Sequence, residues 1–143
     1  VVEKRAAAQT QMDELLGRIA GAPEPTILVG DLNSEADGSN TQSYAKALAA
    51  GFEDTWLRPG SVGDGYTCCY RKDLTGGLEL MTERIDFVLL RNPFDRGSAG
   101  QAGQVTAGLL GADPATPSGL WPSDHRGLSV RFRIPTPGFV SGP

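Results

Sequence analysis

The stretch that decides how this chain is read is "ILVGDLNSEADGSN", residues 27–40. A short apolar run enters a loop carrying Asp31, Asn33, Glu35, Asp37 and Asn40. A calcium loop of the EF-hand type wants oxygen ligands at alternate positions, glycine at the sixth and a bidentate glutamate at the twelfth. Counted from Asn33, the residues Glu35, Asp37 and Gly38 fit, but the twelfth position is Tyr44, which has no carboxylate. The loop also follows a strand rather than a helix. It therefore reads as a strand end that hands Asp31 and Asn33 to a cleft. Glu35 and Asp37 follow as solvated loop residues.

Working outward, "TILVG" is a continuous apolar run, suited to a strand covered on both faces. Upstream, residues 3–20 predict a helix with Ala8, Met12, Leu15, Leu16 and Ile19 on its apolar face, stopped by Gly21, Pro23 and Pro25. Downstream, Ser39 with Gln42 three residues on predicts the start of a second helix, with Tyr44, Ala45 and Leu48 facing in and Gly51 ending it. "YTCCY", 66–70, "RIDFVLLR", 84–91, and "QVTAGLL", 104–110, read as strands. In "GLSVRFRI", 127–134, Leu128, Val130, Phe132 and Ile134 alternate inward against outward Ser129, Arg131 and Arg133. Residues 92–103 read as connection, 111–125 as a long loop and 136–143 as a flexible tail. The order predicts a mixed α/β fold with at least two helices covering a sheet.

Composition narrows the function classes. At 143 residues the length suggests one domain, and 39% hydrophobic against 21% charged residues fits a folded globular chain. A net charge of −4 removes the basic footprint of tight, sequence-independent nucleic-acid binding, though not nuclease chemistry, because metal-holding carboxylates lower the charge too. No apolar run approaches the ~20 residues of a membrane span. The first residues carry no signal-peptide pattern, so the expectation is a cytoplasmic protein, or a secreted one if a signal precedes this piece. Cys68 and Cys69 are adjacent, which strains a bridge between them, and they have no metal-site spacing, so they read as buried strand residues.

Three polar clusters remain. Asp31 and Asn33 end the first strand. Asp86 interrupts an apolar strand, where an unpaired carboxylate is costly. A bond to backbone or to Arg84 would explain it. Asp124 and His125 close the long loop; His125 is the single histidine, and a lone histidine is more often structural than catalytic. Each cluster sets an aspartate at or beside a strand, two with the Asn or His that phosphate chemistry uses.

"GDLN", "RIDFVLL" and "SDH", in that order, resemble the endonuclease/exonuclease/phosphatase superfamily, whose members are DNase I-like. The match spans roughly residues 2–134. The resemblance implies an α/β fold, part of a two-sheet α/β sandwich. The early Asn, metal-binding Glu and further His of the family's N-terminal half have no counterpart here. Residues 1–135 are thus expected to be the C-terminal part of one such domain. It implies a metal-dependent phosphoesterase using Mg²⁺, with Mn²⁺ as a substitute. Asp31 would orient or deprotonate the attacking water, Asn33 would position Asp31 and contact the phosphate, and Asp86 would hold the His125 imidazole against it. Asp124, with Asp31 and Asn33, would bind the metal. Nucleic acid, phospholipid and small phosphodiesters are the substrate candidates, with loops 52–67 and 92–122 as selectors; Trp56 and Trp121 could pack against a base, a sugar or a lipid, but ordinary packing is the commoner role for such residues. The other implied partner is the missing N-terminal half, or a complementary chain. The alternatives are a catalytically incomplete fragment or degenerate member serving as a binding or scaffold module, and an unrelated calcium-binding or interaction domain.

Overall fold

In the computed structural model, which describes residues 2–91, 105–113 and 116–132, the strands β1 (Thr26–Asp31) and β3 (Asp86–Arg91) form an antiparallel ladder. Its register runs from Thr26 opposite Arg91 to Asp31 opposite Asp86. The short β2 (Glu53–Asp54) joins the other side of β3, giving the order β1-β3-β2. The central β3 is therefore the most apolar strand, and Phe87, Val88, Leu89 and Leu90 are all buried.

Alternation sends Phe87 and Leu89 to one face of β3. There α1 (Val2–Ile19) and α2 (Ser43–Ala49) cover them, through Met12, Tyr44 and Ala47, with Phe52 completing the cluster. Leu28 of β1 and Leu16 and Ile19 of α1 pack on its margin. Fully burying a side chain such as Phe87 or Leu89 contributes about 1.5–3 kcal/mol.

A second antiparallel sheet pairs β4 (Thr106–Leu110) with β5 (Gly127–Arg131). It meets the first sheet through β5 against β3, and through β4 against the single turn Thr55–Leu57. The chain is thus mixed α/β with two antiparallel sheets, as expected. Among the described residues no helix is long and apolar enough to cross a membrane.

Several local expectations are corrected. The second helix starts at Ser43, not Ser39, and Gln42 makes no side-chain cap. Asn40 Oδ1 instead accepts from Glu35 N and Thr41 N at 2.6 Å each, and Ser34 Oγ accepts from Tyr44 N at 3.0 Å. Ser39 N, which a capping-box Gln42 would have satisfied, donates instead to Asp37 Oδ1 at 2.8 Å, and Gln42 Nε2 donates to Gly38 O at 3.4 Å. Ser43 and Ala47 join Tyr44 on the buried face, while Ala45 points out. Leu15 is 37% exposed rather than inward. "YTCCY" is no strand: Cys68 makes isolated bridges to Glu83 and His125, and Cys68 and Cys69 are joined as a disulfide. The connection 92–103, the tail 136–143, Arg133 and Ile134 lie outside the described residues.

Candidate active site

The ladder register puts Asp31 directly across from Asp86 at one end of the β1–β3 pair. Like charges facing across strands repel, so this end of the sheet calls for positive charge. Asp31 is braced from its own loop. Asn33 N donates to Oδ1 at 2.7 Å and Asn33 Nδ2 donates to Oδ2 at 3.0 Å. Asn33 reaches this position with a positive φ of 46°, a region asparagine tolerates better than other side-chain-bearing residues. Thr41 Oγ1 fixes the same turn by donating to Asn33 O at 3.1 Å.

His125 lies 39 residues beyond Asp86, and its Nδ1 is 2.9 Å from Asp86 Oδ2. The segment 67–70 brings the two together. Thr67 N and Cys68 N donate to Glu83 O at 2.8 and 3.0 Å, just before β3. On its other side, Arg126 N donates to Thr67 O and Tyr70 N to Asp124 O, both at 2.8 Å. Thr67, fully buried, also offers its hydroxyl oxygen to Ile85 N at 3.4 Å and Asp86 N at 3.2 Å. The segment thus splints the entry of β3 to the loop before β5.

Partial burial alone would pull the His125 pKa down. The hydrogen bond and charge of Asp86, with the charges of Asp31 and Asp124, outweigh it, and the imidazole sits above its ordinary value of 6.5. Ligand atoms of Asp31, Asp86 and His125 lie within 4.8 Å of one another. Two carboxylates in such a group match what a hard divalent cation prefers, oxygen donors with room for water. Asp124 is not a member of that group; its carboxylate acts on His125 through charge.

The structure therefore gathers Asp31, Asn33, Asp86 and His125, and sets Asp124 beside them. Asp86 is not bonded to Arg84. Arg84 is buried against Asp54, whose Oδ2 also accepts from Tyr44 OH at 2.8 Å. Its guanidinium lies 5.1 Å from the Phe87 ring centroid. Glu35 is not simply solvated: its Oε2 accepts from Arg84 N at 3.3 Å, and burial raises its pKa. Asp37 is an exposed turn residue, held below the usual carboxylate range by hydrogen bonds from Ser39. Trp56 and Trp121 are 7% and 6% exposed and pack internally, Trp121 stacked on Tyr70 at 4.0 Å. Sequence reasoning missed Thr67 and the approach of Cys69 Sγ to His125 Nε2, 3.9 Å apart. The one available signal was a polar threonine inside an apolar stretch.

The chain is similar in fold to known proteins. A family model described as Endonuclease/Exonuclease/phosphatase family matches residues 2–125. No curated protein matches the chain. Among solved structures, truncated Caenorhabditis elegans TDP2 superposes with a TM-score of 0.57 at 21% identity, covering 92% of this chain and 50% of that one. The mannosyl-6-phosphatase of Bacteroides thetaiotaomicron gives 0.55 at 16% identity, with 91% and 45% covered. An endonuclease/exonuclease/phosphatase family protein from the same species gives 0.52 at 19%, with 88% and 43% covered. The chain spans about half the length of these structures. With the family model spanning residues 2–125 and the fold shared, the chain belongs to the endonuclease/exonuclease/phosphatase family.

Proposed function

We propose that this chain carries the catalytic portion of a divalent-metal-dependent phosphoesterase that hydrolyses phosphodiesters. The observation that carries the reading is the pairing of two braced groups at one ladder end: Asp31 held by Asn33, and His125 held by Asp86. Phosphodiester hydrolysis needs an in-line water, a base for its proton, and positive charge at the phosphoryl oxygens.

Asp31 is the base. Its two oxygens are each fixed by one donor from Asn33, which sets the carboxylate's orientation and leaves lone pairs for water. His125 is the positive group. Asp86 on Nδ1 favours the protonated ring and leaves Nε2–H, beside Cys69 Sγ, to donate to a phosphoryl oxygen. Asn33 Nδ2 has a second hydrogen for the same phosphate. A bound divalent cation, Mg²⁺ or Mn²⁺, supplies Lewis-acid neutralisation of the phosphoryl charge. Asp31, Asn33 and Asp124 are the residues of this chain that would hold it.

The substrate is a phosphoester, with nucleic acid, phospholipid and small phosphodiesters as the candidates to assay. The chain is the C-terminal part of its sandwich, and the rest of the fold, in the same protein or a complementary chain, completes the site. The exposed apolar residues Ile27 and Val29 on the edge strand β1 support this. The test is hydrolysis by the full-length protein with Mg²⁺. Asp31→Asn and His125→Ala should each lower turnover by about a hundredfold to ten-thousandfold. Unchanged turnover in both would sink the assignment in favour of a scaffold role.

A further inference from the structure

The His125 imidazole has two chemically different neighbourhoods. Nδ1 faces the Asp86 carboxylate, with Asp31 also near the ring, and Nε2 faces sulfur. Ligand atoms of Cys68, Cys69 and His125 also lie within 4.8 Å of one another. Cys69 is exposed, Cys68 is 1% exposed, and both are anchored through the Cys68 bridges to Glu83 and His125. We propose that, once the Cys68–Cys69 disulfide is reduced, the two thiolates and His125 Nε2 hold one thiophilic divalent cation, Zn²⁺.

Thiolate and imidazole are the ligands that favour zinc over magnesium. Zn–S and Zn–N bonds of ~2.3 and ~2.0–2.1 Å at tetrahedral angles put S and N about 3.6 Å apart. The observed Cys69 Sγ to His125 Nε2 distance is 3.9 Å. Three protein ligands leave a fourth position for water. The soft set shares no ligand with Asp31, Asn33 and Asp124, the residues proposed for Mg²⁺, but it takes the imidazole proposed for the phosphate. Zinc there would occupy the nitrogen that the phosphoesterase reading assigns to phosphate, and so would inhibit.

Reduction is needed first, because disulfide sulfurs are poor ligands. A trialkylphosphine supplies the two electrons. The S–S bond breaks, one water gives its oxygen to phosphorus and its two protons to the sulfurs, and the phosphine leaves as its oxide.

The test is calorimetric titration of Zn²⁺ into the full-length protein, phosphine-reduced and untreated, with Co²⁺ absorption as the second readout. One equivalent should bind the reduced protein at least tenfold more tightly than the untreated protein. Bound Co²⁺ should show the sulfur-to-metal charge-transfer band. Cys69→Ser, at an exposed position, should lose both signals, and Asp31→Asn should keep both. Equal binding by reduced and untreated protein, no charge-transfer band, or full retention in Cys69→Ser would each overturn the proposal. The readouts require no turnover, so they stand apart from the phosphoesterase test.

Discussion

Asp31 and Asp86 face one another across a ladder, and His125, whose pKa they raise, offsets their repulsion when protonated. A histidine whose folded pKa is raised stabilises the fold fully below its unfolded pKa. That stability is lost as pH rises through the folded value. Stability of the protein should therefore fall as pH climbs from 6.5 through the raised His125 pKa. Asp86→Asn removes the main raising influence and leaves burial, so the ring pKa should drop and the alkaline loss should shrink. NMR titration of the His125 ring and urea midpoints across this range check both; an unmoved ring pKa would contradict the pairing. Asp31, Asn33, Asp86 and His125 were picked out in the sequence by the ordered motifs that hold them; taken singly, Asp86 and His125 read more readily as structural residues. Thr67 and Cys69 were not picked out, because their roles arise from contacts to residues far along the chain.

Between elements, the segment 67–70 and the buried Arg84–Asp54 pair set the position of the β3 entry. Thr67→Val leaves Ile85 N and Asp86 N without their hydroxyl acceptor. The expected cost is about 1–3 kcal/mol, read by urea denaturation, with turnover falling further because Asp86 loses its anchor. Asp54→Asn leaves Arg84, 8% exposed, as an uncompensated buried charge. That change should destabilise by about 3–5 kcal/mol, and a loss under half a kcal/mol would show the pair to be unimportant. Gly65 has φ of +76° and a side chain there would meet the Trp56 ring at 2.6 Å, so Gly65→Ala should also destabilise. Helix α1 and strands β1, β3 and β5 were legible because their apolar spacing decides them. The start of α2 was not, since Ser34 and Asn40 settle the loop by contacts within it.

For the molecule as a whole, β1 lies at the edge of its sheet among the described strands, and its outward residues Ile27 and Val29 are 41% and 64% exposed. Such an edge templates association. Residues 1–143 expressed alone should self-associate and show little turnover, and Ile27→Ser with Val29→Ser should restore a monomer in analytical ultracentrifugation. Fold class was readable from the order of elements. The two-sheet arrangement came only with the ordered motifs, because β4 and β5 carry too little apolar pattern to announce which strands they meet.

The pairing of Asp31 with Asp86 makes the site sensitive to reading-frame arithmetic. An in-frame deletion of one codon within β1 would turn Asp31 toward the opposite face of the sheet, because side chains alternate. Loss of two codons would return it to the correct face, but displaced by ~7 Å. Fold stability should therefore follow the number of codons removed between 26 and 31, with one-codon losses costing more than two-codon losses and hydrolysis surviving in neither.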